Sequence, residues 1–592
     1  MLRLQLPRRL YSTAIPKKTV AQFLTVGPAE SISNARITGW VRSTRKSKTE
    51  QFVDVSDGTS LRPLQAVVPR AMGTDIRVGA SVRLYGDWVP CATQDMQTHE
   101  LKVSSLEVIG PSDPKKKYQS SEYLRSIPHL RSRIPLNAAL LRLRSDAIAA
   151  VTRFFNEQNF VQTQPPIITS SDCEGAGEVF TAATGSAADQ SKAKNKPADH
   201  FFRSPKYLTV SSQLHLEALA HSVGDVWTLS PTFRAEHSDT SRHMSEFYML
   251  EAEQMFVDDM ATVMSLLENL LRATVSEITT STAAKDLRKA VSSLRHQEPE
   301  LAADADVLQR WAGMGSEAPP WPRITYTEAV ELLQKAQAEH GTQLFETPAP
   351  QWGEGLASEH EKWLAAHISE REAPGWRTPV FVTHYPRAIK AFYMMPTAAT
   401  ESQLGPASDS RTARQHHQDT VDCFDLLVTD VCEIAGGSMR EYRLDNLLAT
   451  MAERGMALPK DAHGGRSTAG LDWYVDLRRW GTAPHGGFGL GFDRVLSYLS
   501  GIPNVKDVVA FPRCVYRAYS VYGVYGIQCT GPSRTKGSSW MGSPNPDSRL
   551  QIQIETRRDE TRRGEITAIE MMRPLCYAIS GLAGRYDSAL VS

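Results

Sequence analysis

The sequence predicts an α+β fold, with an N-terminal β-barrel followed by a larger domain in which helices flank an antiparallel sheet. Three observations support this prediction. Short alternating segments recur between residues 32 and 109, Pro231–Phe256 has the pattern of a β-hairpin, and Asn137–Phe155 has the apolar periodicity of a helix. A chain of 592 residues is long enough for two or more such domains.

Composition places the chain among ordinary globular proteins, with 41% hydrophobic and 22% charged residues. The 66 basic residues balance 66 acidic ones, so an RNA-binding surface would have to be a local patch. The 7 cysteines form no C-x-x-C pairs, which argues against a zinc site and against a disulfide framework. No apolar run approaches the length needed to cross a bilayer, so we expect no membrane span.

The first 29 residues are basic and contain no acidic residue before Glu30, with leucines interspersed. This composition is typical of a mitochondrial transit peptide, so we expect a location in the mitochondrial matrix. We place its end shortly before Glu30 and exclude residues 1–29 from the fold. A basic tail that contacts RNA is the alternative.

The barrel is predicted in residues 30–111, where five alternating segments are separated by Gly, Asp and Pro. Five strands at this spacing indicate an OB-fold, which binds single-stranded nucleic acid through aromatic and basic side chains. Phe52, preceded by Arg42 and further basic residues, supplies both. A position in the barrel core is the alternative for Phe52.

A hinge is predicted at residues 112–136, where proline and a lysine run interrupt the pattern. The helix at Asn137–Phe155 follows and is expected to end near Asn159. The next segment begins as a strand and meets Pro165–Pro166, which cannot donate to a ladder and therefore belongs at a sheet edge or an interface.

The second domain is predicted to span residues 137–513. Within it, the small polar residues of 185–198 and the Pro-, Ala- and Trp-rich residues of 292–323 are interpreted as insertions. Residues 514–592 are interpreted as an atypical C-terminal extension.

The charged stretch Pro231–Phe256 has two strand-like halves, Trp227–Glu236 and Glu246–Phe256, around a loop of Asp, Ser, Thr, Arg and His. Cations and an aromatic ring on such a hairpin can converge on a ligand that carries phosphates and a base. A solvated surface hairpin is the alternative. The side chains expected to converge are Arg234, Arg242, His243 and Phe247.

Asp425 and Glu433 lie in two predicted strands joined by a tight turn at Val428–Asp430. Strict pairing from that turn places the two carboxylates directly opposite each other, where they repel. A hard cation between them removes this cost, and magnesium suits a site that also holds ATP phosphates. A solvent-facing acidic pair is the alternative.

The glycine-rich run Gly486–Gly491 lacks G-x-G-x-x-G spacing, which argues against a dinucleotide site. Asp493 and Arg494 follow and open an apolar helix. At this position Arg494 is expected to clamp a terminal phosphate.

These stretches carry a family resemblance. Phe233–Glu253 (FRAEHSDTSRHMSEFYMLEAE) is similar to motif 2 of the class II aminoacyl-tRNA synthetases, Gly486–Arg513 resembles motif 3, and the helix, strand and Pro166 resemble motif 1. Within that class, three further stretches resemble the asparaginyl enzymes more closely than the aspartyl or lysyl ones. They are Ser171–Phe180 (SDCEGAGEVF), His384–Met394 (HYPRAIKAFYM) and Asp425–Glu441 (DLLVTDVCEIAGGSMRE). The resemblance covers about residues 35 to 513.

The resemblance implies a class II catalytic domain and a homodimer that uses ATP and magnesium to join asparagine to tRNA(Asn) through an adenylate. Arg234 then contacts the α-phosphate, and Arg494 the γ-phosphate, as the two catalytic residues. Arg242 and His243 contact the outer phosphates, and adenine stacks between Phe247 and Arg494. Glu236 contacts the edge of adenine. Asp425 and Glu433 hold the metal. In the barrel, Phe52 stacks on an anticodon base, Gln65 reads the central uridine, and Arg42 also contacts the anticodon.

Amino-acid selection is assigned to a predicted helix at Ser211–Gly224, in which Ser212 is the N-cap and Gln213 and Glu217 are i, i+4 neighbours. By resemblance, Glu217 accepts a hydrogen bond from the substrate amide. Arg440 donates to the amide oxygen, which requires a bulge at Gly436–Gly437, while Glu174 and Gln213 hold the α-amino group. An exposed Glu217 on a surface helix is the alternative.

Two other functions stay open at this point. One is an aspartyl-tRNA synthetase, including a non-discriminating form that charges two tRNAs. The other is an inactive synthetase-like RNA-binding protein, which is disfavoured because the expected ATP and metal residues are all present.

Overall fold

The structure is a computed structural model that describes residues 18–513 apart from 73–75, 92–97, 114–126, 171–178, 183–200, 203, 237, 239, 296–300, 302–303, 342–343, 398–418 and 457–469. These residues confirm the predicted α+β organisation, with a closed barrel and a separate sheet flanked by helices. The extension at 514–592, the insertion at 185–198 and most of the hinge lie outside the described residues.

The barrel strands are β1 Ile32–Lys46, β2 Glu50–Ser56, β3 Leu64–Pro69, β4 Ser81–Pro90 and β5 His99–Gly110. They close in the order β1-β2-β3-β5-β4, which confirms the OB-like barrel. Alternation along β2 sends Val53 and Val55 into the core, where each is fully buried, and leaves Phe52 and Asp54 outside.

A short helix, α1 Val20–Leu24, packs against this barrel. Val20 and Phe23 are 1% and 2% exposed and belong to the barrel core, where the Phe23 ring lies 5.9 Å from that of Trp88. The Val20 amide also donates to Asp57 at 2.9 Å. Excluding residues 1–29 from the fold was therefore wrong, because apolar burial makes residues from about Thr19 onward part of the barrel.

The second sheet has eight strands in the order β11-β12-β13-β14-β15-β10-β9-β6. All pairs are antiparallel except the two at the edges, β11 with β12 and β9 with β6. The strands are β6 Val161–Gln162, β9 Val226–Phe233, β10 Glu246–Met255, β11 Arg323–Thr325, β12 Val380–Thr383, β13 Cys423–Val428, β14 Cys432–Met439 and β15 His485–Gly491, and a separate pair is formed by β7 Ile168–Thr169 and β8 Tyr207–Leu208.

Helices flank this sheet. They are α2 Pro128–Arg131, α3 Pro135–Glu157, α4 Gln213–Val223, α5 Met260–Thr279, α6 Thr282–Leu294, α7 Asp304–Met314, α8 Tyr326–His340, α9 Ser358–Glu372, α10 Leu444–Glu453, α11 Asp472–Asp476 and α12 Phe492–Ser500. The helix predicted at Asn137–Phe155 is α3, and the strand after it lies at the sheet edge as expected.

The segment 292–323, interpreted above as an insertion, is part of the core. Trp311, Met314 and Trp321 are buried with the sheet. Trp311 Nε1 donates to the Leu499 carbonyl at 2.8 Å, and Arg310 pairs with Asp430 at 2.9 Å. Whether or not it is an insertion, this segment is structural, because α7 ties α12 and the β13–β14 turn together.

In the part of the chain that the structure describes, none of the helices is long and apolar enough to cross a membrane.

Candidate active site

Strand β10 brings one alternating set of side chains to the centre of the sheet. It pairs with β9 so that Phe247 lies opposite Thr232 and Glu251 opposite Thr228. Because successive side chains point to opposite faces of a strand, Phe247, Met249, Glu251 and Glu253 share one face. All of them line one or both of two adjoining cavities. The predicted hairpin is therefore present, with Arg234 one residue beyond the end of β9.

Glycines on the two central strands provide room for these cavities. A Cβ at Gly487 would lie 2.2 Å from a Glu253 oxygen, and one at Gly489 would lie 3.1 Å from the Met249 sulfur. Gly436, on the neighbouring strand β14, also lines the larger cavity. The glycine-rich run 486–491 is thus part of a strand whose glycines leave space for the cavities. This agrees with the prediction that the run is not a dinucleotide-binding loop.

The smaller cavity, of about 240 Å³, is lined by every residue that the sequence assigned to ATP. The Arg234 guanidinium lies 5.6 Å from the Phe247 ring centroid, a cation–π distance. Arg494 is in the first turn of α12 and donates to the Glu433 carbonyl at 2.7 Å. The full set of predicted ATP residues at this cavity is Arg234, Glu236, Arg242, His243, Phe247 and Arg494.

The two residues near the hairpin tip already have partners. Arg242 donates to the Ser358 hydroxyl and lies 3.6 Å from Glu361, both on α9. His243 Nδ1 contacts the Thr240 hydroxyl at 2.7 Å. Burial, opposed by Glu236 and supported by three nearby arginines, lowers the pKa of His243. Neutral His243 is therefore favoured at pH 7, where its ring can either donate or accept a hydrogen bond.

The larger cavity, of about 460 Å³, adjoins the first and shares Arg234, Met249, Glu433 and Gly489 with it. Its polar lining combines both charges: Gln213, Glu251, Glu253, Lys390, Asp425 and Arg440. Arg234 and Glu433 stand at the junction of the two cavities. A ligand in the larger cavity can therefore meet the inner end of a ligand in the smaller one.

The predicted placement of Asp425 directly opposite Glu433 is wrong. Asp425 pairs with Gly436, and Glu433 pairs with Leu427. The turn closes at Val428 and Cys432, and the ladder shifts by one residue between Leu426 and Leu427. The carboxylates still converge, because a Cβ on Gly436 would lie 3.2 Å from one Asp425 oxygen and 3.3 Å from one Glu433 oxygen.

Two further charged groups join this acidic pair, and the sequence analysis assigned no role to either. Lys390 Nζ lies 2.7 Å and 2.9 Å from the two Asp425 oxygens. Glu361, on α9, is the third carboxylate. Burial, together with Glu433 and Asp425, raises the pKa of Glu361 to about 7. A cation near these three acids would lower that pKa, since positive charge favours the ionised form.

The bulge that Arg440 requires exists, but not at Gly436–Gly437. The register shift leaves Ile434 as the extra residue of β14. One extra residue reverses the alternation beyond it, so Arg440 reaches the same cavity as Glu433. Both glycines pair normally with β13 and β15.

Glu217 does not line either cavity, so its predicted contact with the substrate amide is corrected. Its side chain is fully buried and is bonded by Arg478 and Tyr474, each at 2.7 Å. The i, i+4 contact with Gln213 is present at 3.1 Å. The carboxylate that faces the cavity beside Arg440 is Glu253, with nitrogen-to-oxygen distances of 2.9 and 3.1 Å.

The sequence contains the signal for Glu253. Once Phe247 is placed on the ligand face of β10, strict alternation puts Glu251 and Glu253 on that face as well. Glu174, the other residue predicted to hold the α-amino group, lies outside the described residues. Ser212 occupies the N-cap position of α4, but its hydroxyl contacts Ser230 at 3.0 Å instead of capping the helix.

The barrel presents a second candidate surface. Phe52 is half-buried on the outer face, with Arg45 at 5.9 Å from its ring centroid, so it is not a core residue. Asp54 pairs with Gln65, which places Gln65 on the same outer face. Arg42 is in a β1 bulge and donates to the Arg133 carbonyl at 3.3 Å. Phe52 and Gln65 are thus together, whereas Arg42 contacts the hinge.

Comparison with known proteins agrees with this geometry. The family model described as tRNA synthetases class II (D, K and N) matches residues 120–515. A relative named mitochondrial asparagine–tRNA ligase, from Saccharomyces cerevisiae, is 38% identical over 81% of this chain and 91% of its own. A Homo sapiens relative named asparaginyl-tRNA synthetase is 37% identical over 85% of this chain and 95% of its own.

Solved structures agree as well. The asparaginyl-tRNA synthetase of Pyrococcus horikoshii, in complex with asparaginyl-adenylate, matches with a TM-score of 0.65 and 26% identity. The match covers 85% of this chain and 100% of that one. The fold, the matched family model and the relatives lead to one conclusion: the chain belongs to the class II tRNA synthetases of the D, K and N group and, within it, to the asparaginyl-tRNA synthetases.

Proposed function

We propose that this protein activates asparagine with ATP and transfers it from asparaginyl-adenylate to tRNA(Asn). The observation that carries the proposal is the junction of the two cavities at Arg234 and Glu433. ATP occupies the smaller cavity and asparagine the larger one, so the amino-acid carboxylate and the α-phosphate meet beside Arg234. No protein nucleophile is needed, because positioning and charge stabilisation suffice for in-line attack at phosphorus.

Within the smaller cavity, adenine stacks between Phe247 and Arg494, with Glu236 at its edge. Arg234 contacts the α-phosphate, while Arg242 and His243 contact the outer phosphates. For this, Arg242 must exchange its contacts with Ser358 and Glu361 for phosphate oxygens, which are stronger partners for a guanidinium.

Magnesium fits the acidic group above Gly436. The donors are carboxylate oxygens, which hard divalent cations prefer, and they converge next to the junction. Asp425 and Glu433 would hold the ion, which would shield the negative charge of the ATP phosphates. Burial raises the pKa of Asp425, and the contact with Lys390 opposes that rise.

Glu253 and Arg440 select the amino acid. A side-chain amide needs one hydrogen-bond acceptor and one donor side by side, and this pair offers both at the cavity wall. Glu253 accepts from the amide NH₂ and Arg440 donates to the amide oxygen. Gln213 lies in the same cavity and holds the α-amino group together with Glu174.

The test is ATP–pyrophosphate exchange by the purified chain with asparagine or aspartate. We expect exchange with asparagine and roughly a thousandfold or more less with aspartate, because a carboxylate at Glu253 repels the substrate carboxylate. Comparable exchange with aspartate would instead indicate a non-discriminating enzyme. No exchange with either, from folded protein, would indicate an inactive RNA-binding relative.

The outer barrel face carries a separate prediction about the anticodon. We expect Phe52→Ala to weaken binding of tRNA(Asn) by about 1–3 kcal/mol, since it removes a ring that stacks on a base. Exchange with asparagine should stay unchanged, because Phe52 lines neither cavity. Filter binding and exchange assays on the same protein check both parts, with Tyr85→Ala on strand β4 as control. A parallel loss of exchange would contradict an anticodon role.

A homodimer is part of the proposal. Apolar side chains are exposed near the sheet edge formed by β6: Val161 is 43%, Ile167 40% and Ile168 45% exposed. An exposed apolar group of this kind is typical of an interface. Sedimentation at micromolar concentration should give twice the mass of the chain, and a monomer at that concentration would contradict the proposal.

For location, we propose the mitochondrial matrix. The basic N-terminal residues carry this proposal, together with the name of the yeast relative. Because α1 belongs to the barrel, cleavage should occur before about Thr19. A reporter fused to residues 1–18 should accumulate in mitochondria; a cytosolic distribution would count against the proposal.

A further inference from the structure

Four buried charged side chains form a row that runs from the wall of the larger cavity into the core. Glu253 and Arg440 line the cavity, and behind them are Glu217 and Arg478, whose side chains are completely buried. Arg440 Nε lies 3.9 Å from Glu217 Oε1, and Arg478 Nη2 lies 2.7 Å from Glu217 Oε2. The order is therefore acid, base, acid, base, running from the cavity wall into the core.

Further groups form hydrogen bonds with the inner pair, Glu217 and Arg478. Tyr474 donates to Glu217 Oε2 at 2.7 Å and accepts from Arg478 at 2.9 Å. Arg478 also donates to the Glu441 carbonyl at 3.1 Å, and His485 Nε2 lies 3.2 Å from Glu217 Oε2. Glu217 is on α4 and Arg478 follows α11, and their partners come from α11, from the segment after β14 and from β15.

A metal ion is not needed to explain this cluster. Glu217, Glu253 and His485 present ligand atoms within 4.8 Å of one another, which is a spacing that metal ligands can have. Two guanidinium groups already contact these carboxylates. Adding a divalent cation there would place like charges in contact inside the core, which is costly.

The electrostatics couple the two pairs. Burial alone would raise the pKa of Glu217, but Arg478, His485 and Arg440 outweigh it and hold that pKa below its usual range. Glu217 is therefore charged, and its charge acts on Glu253. Burial raises the pKa of Glu253, Arg440 opposes this rise, and Glu217 adds to it. Removing either inner charge therefore changes the potential at the cavity wall.

We propose that Glu217 and Arg478 are positioning residues that set the preference for asparagine over aspartate by balancing charge behind Glu253 and Arg440. Neither touches the substrate. Glu253 accepts hydrogen bonds from Nε and Nη2 of Arg440, Glu217 lies 3.9 Å from the same Nε, and Arg478 cancels the charge of Glu217. The cavity wall then offers one acceptor and one donor with no excess positive charge to attract a second carboxylate. This inference rests on the proposed function.

The test compares kcat/KM for asparagine and aspartate in pyrophosphate exchange. Glu217→Gln leaves excess positive charge, so the ratio of asparagine to aspartate should fall on the order of tenfold or more. Arg478→Met leaves excess negative charge, so asparagine activation should weaken while the ratio holds or rises. The double variant restores neutrality, and its ratio should return toward that of the unmodified chain.

These opposite directions separate charge balance from loosened packing. A purely structural role would shift the ratio the same way in both single variants, and that result would overturn the proposal. If Arg478→Met does not fold, the comparison of Glu217→Gln with the double variant decides, because an unrestored ratio contradicts the proposal. Thermal melting and ATP affinity, which depends on the other cavity, report whether each variant is intact.

The unmodified chain distinguishes this inference from the proposed function. If it fails to activate asparagine, the proposed function itself is wrong. If it activates asparagine and the variants do not shift the ratio as described, only the positioning role of Glu217 and Arg478 is wrong.

Discussion

Arg234→Ala should reduce asparagine-dependent pyrophosphate exchange by roughly a hundredfold to a thousandfold, equivalent to about 3–4 kcal/mol of lost transition-state stabilisation. The reason is its position at the junction of the two cavities, where a guanidinium meets charge that develops on the α-phosphate. The loss should appear mainly in kcat, because the contact strengthens as the reaction proceeds. Binding of tRNA(Asn) through the barrel should persist.

The matched control for this variant is Arg83→Ala. Arg83 is on barrel strand β4, pairs with Glu107 at the surface and lines neither cavity. Arg83→Ala removes the same type of side chain at a position outside the proposed active site. Pyrophosphate exchange should therefore stay at the level of the unmodified chain. If Arg234→Ala shows the same pyrophosphate exchange as this control, the assignment of Arg234 to the α-phosphate is wrong.

Glu253→Gln should lower kcat/KM for asparagine by about a hundredfold or more. A carboxylate has two oxygens that accept hydrogen bonds, whereas the glutamine amide has one acceptor oxygen and one donor NH₂ group. The substrate NH₂ therefore finds a poorer acceptor. Aspartate should lose less, or gain, because the new amide NH₂ can donate to its carboxylate. Exchange assays with both amino acids measure the change in ratio.

Stability must be measured on the same variant. Glu253 is 1% exposed and pairs with Arg440 at 2.9 Å, so its neutralisation leaves a buried guanidinium with weaker compensation. Glu246→Gln is the matched control, because Glu246 is on the same strand, is 42% exposed and lines neither cavity. A folded Glu253→Gln protein with unchanged preference for asparagine would exclude Glu253 as the reader of the amide.

The convergence of the residues that line the smaller cavity could be predicted because local patterns position them. Arg234, Arg242, His243 and Phe247 belong to one hairpin, and Arg494 follows the strand that pairs with it. Hairpin pairing is a short-range property of alternation and turn residues, so the sequence indicates which side chains converge. The same local logic predicted the barrel and the helix at Asn137–Phe155, which the structure extends to Pro135–Glu157.

Predictions failed where a single residue changes the geometry or where distant elements pack. The turn closes at Val428 and Cys432 instead of at Val428 and Asp430, which separates Asp425 from Glu433 in the ladder, and the extra residue Ile434 then turns Arg440 toward the cavity. A periodic pattern does not reveal which residue of a strand lacks a partner. At the N-terminus, basic composition obscured α1, whose two buried residues, Val20 and Phe23, are stabilised only by packing in the barrel core.

By itself, the sequence determined the fold class, the cationic hairpin and the presence of the acidic residues Asp425 and Glu433 on neighbouring strands, since each depends on periodicity or on neighbours along the chain. Only the tertiary structure decided which carboxylate faces the larger cavity beside Arg440. Glu217 and Arg478 are 261 residues apart, and Glu253 and Arg440 are 187 apart. Such pairs form when helix, strand and turn pack together, because burial compels each charge to find a partner that the sequence does not identify.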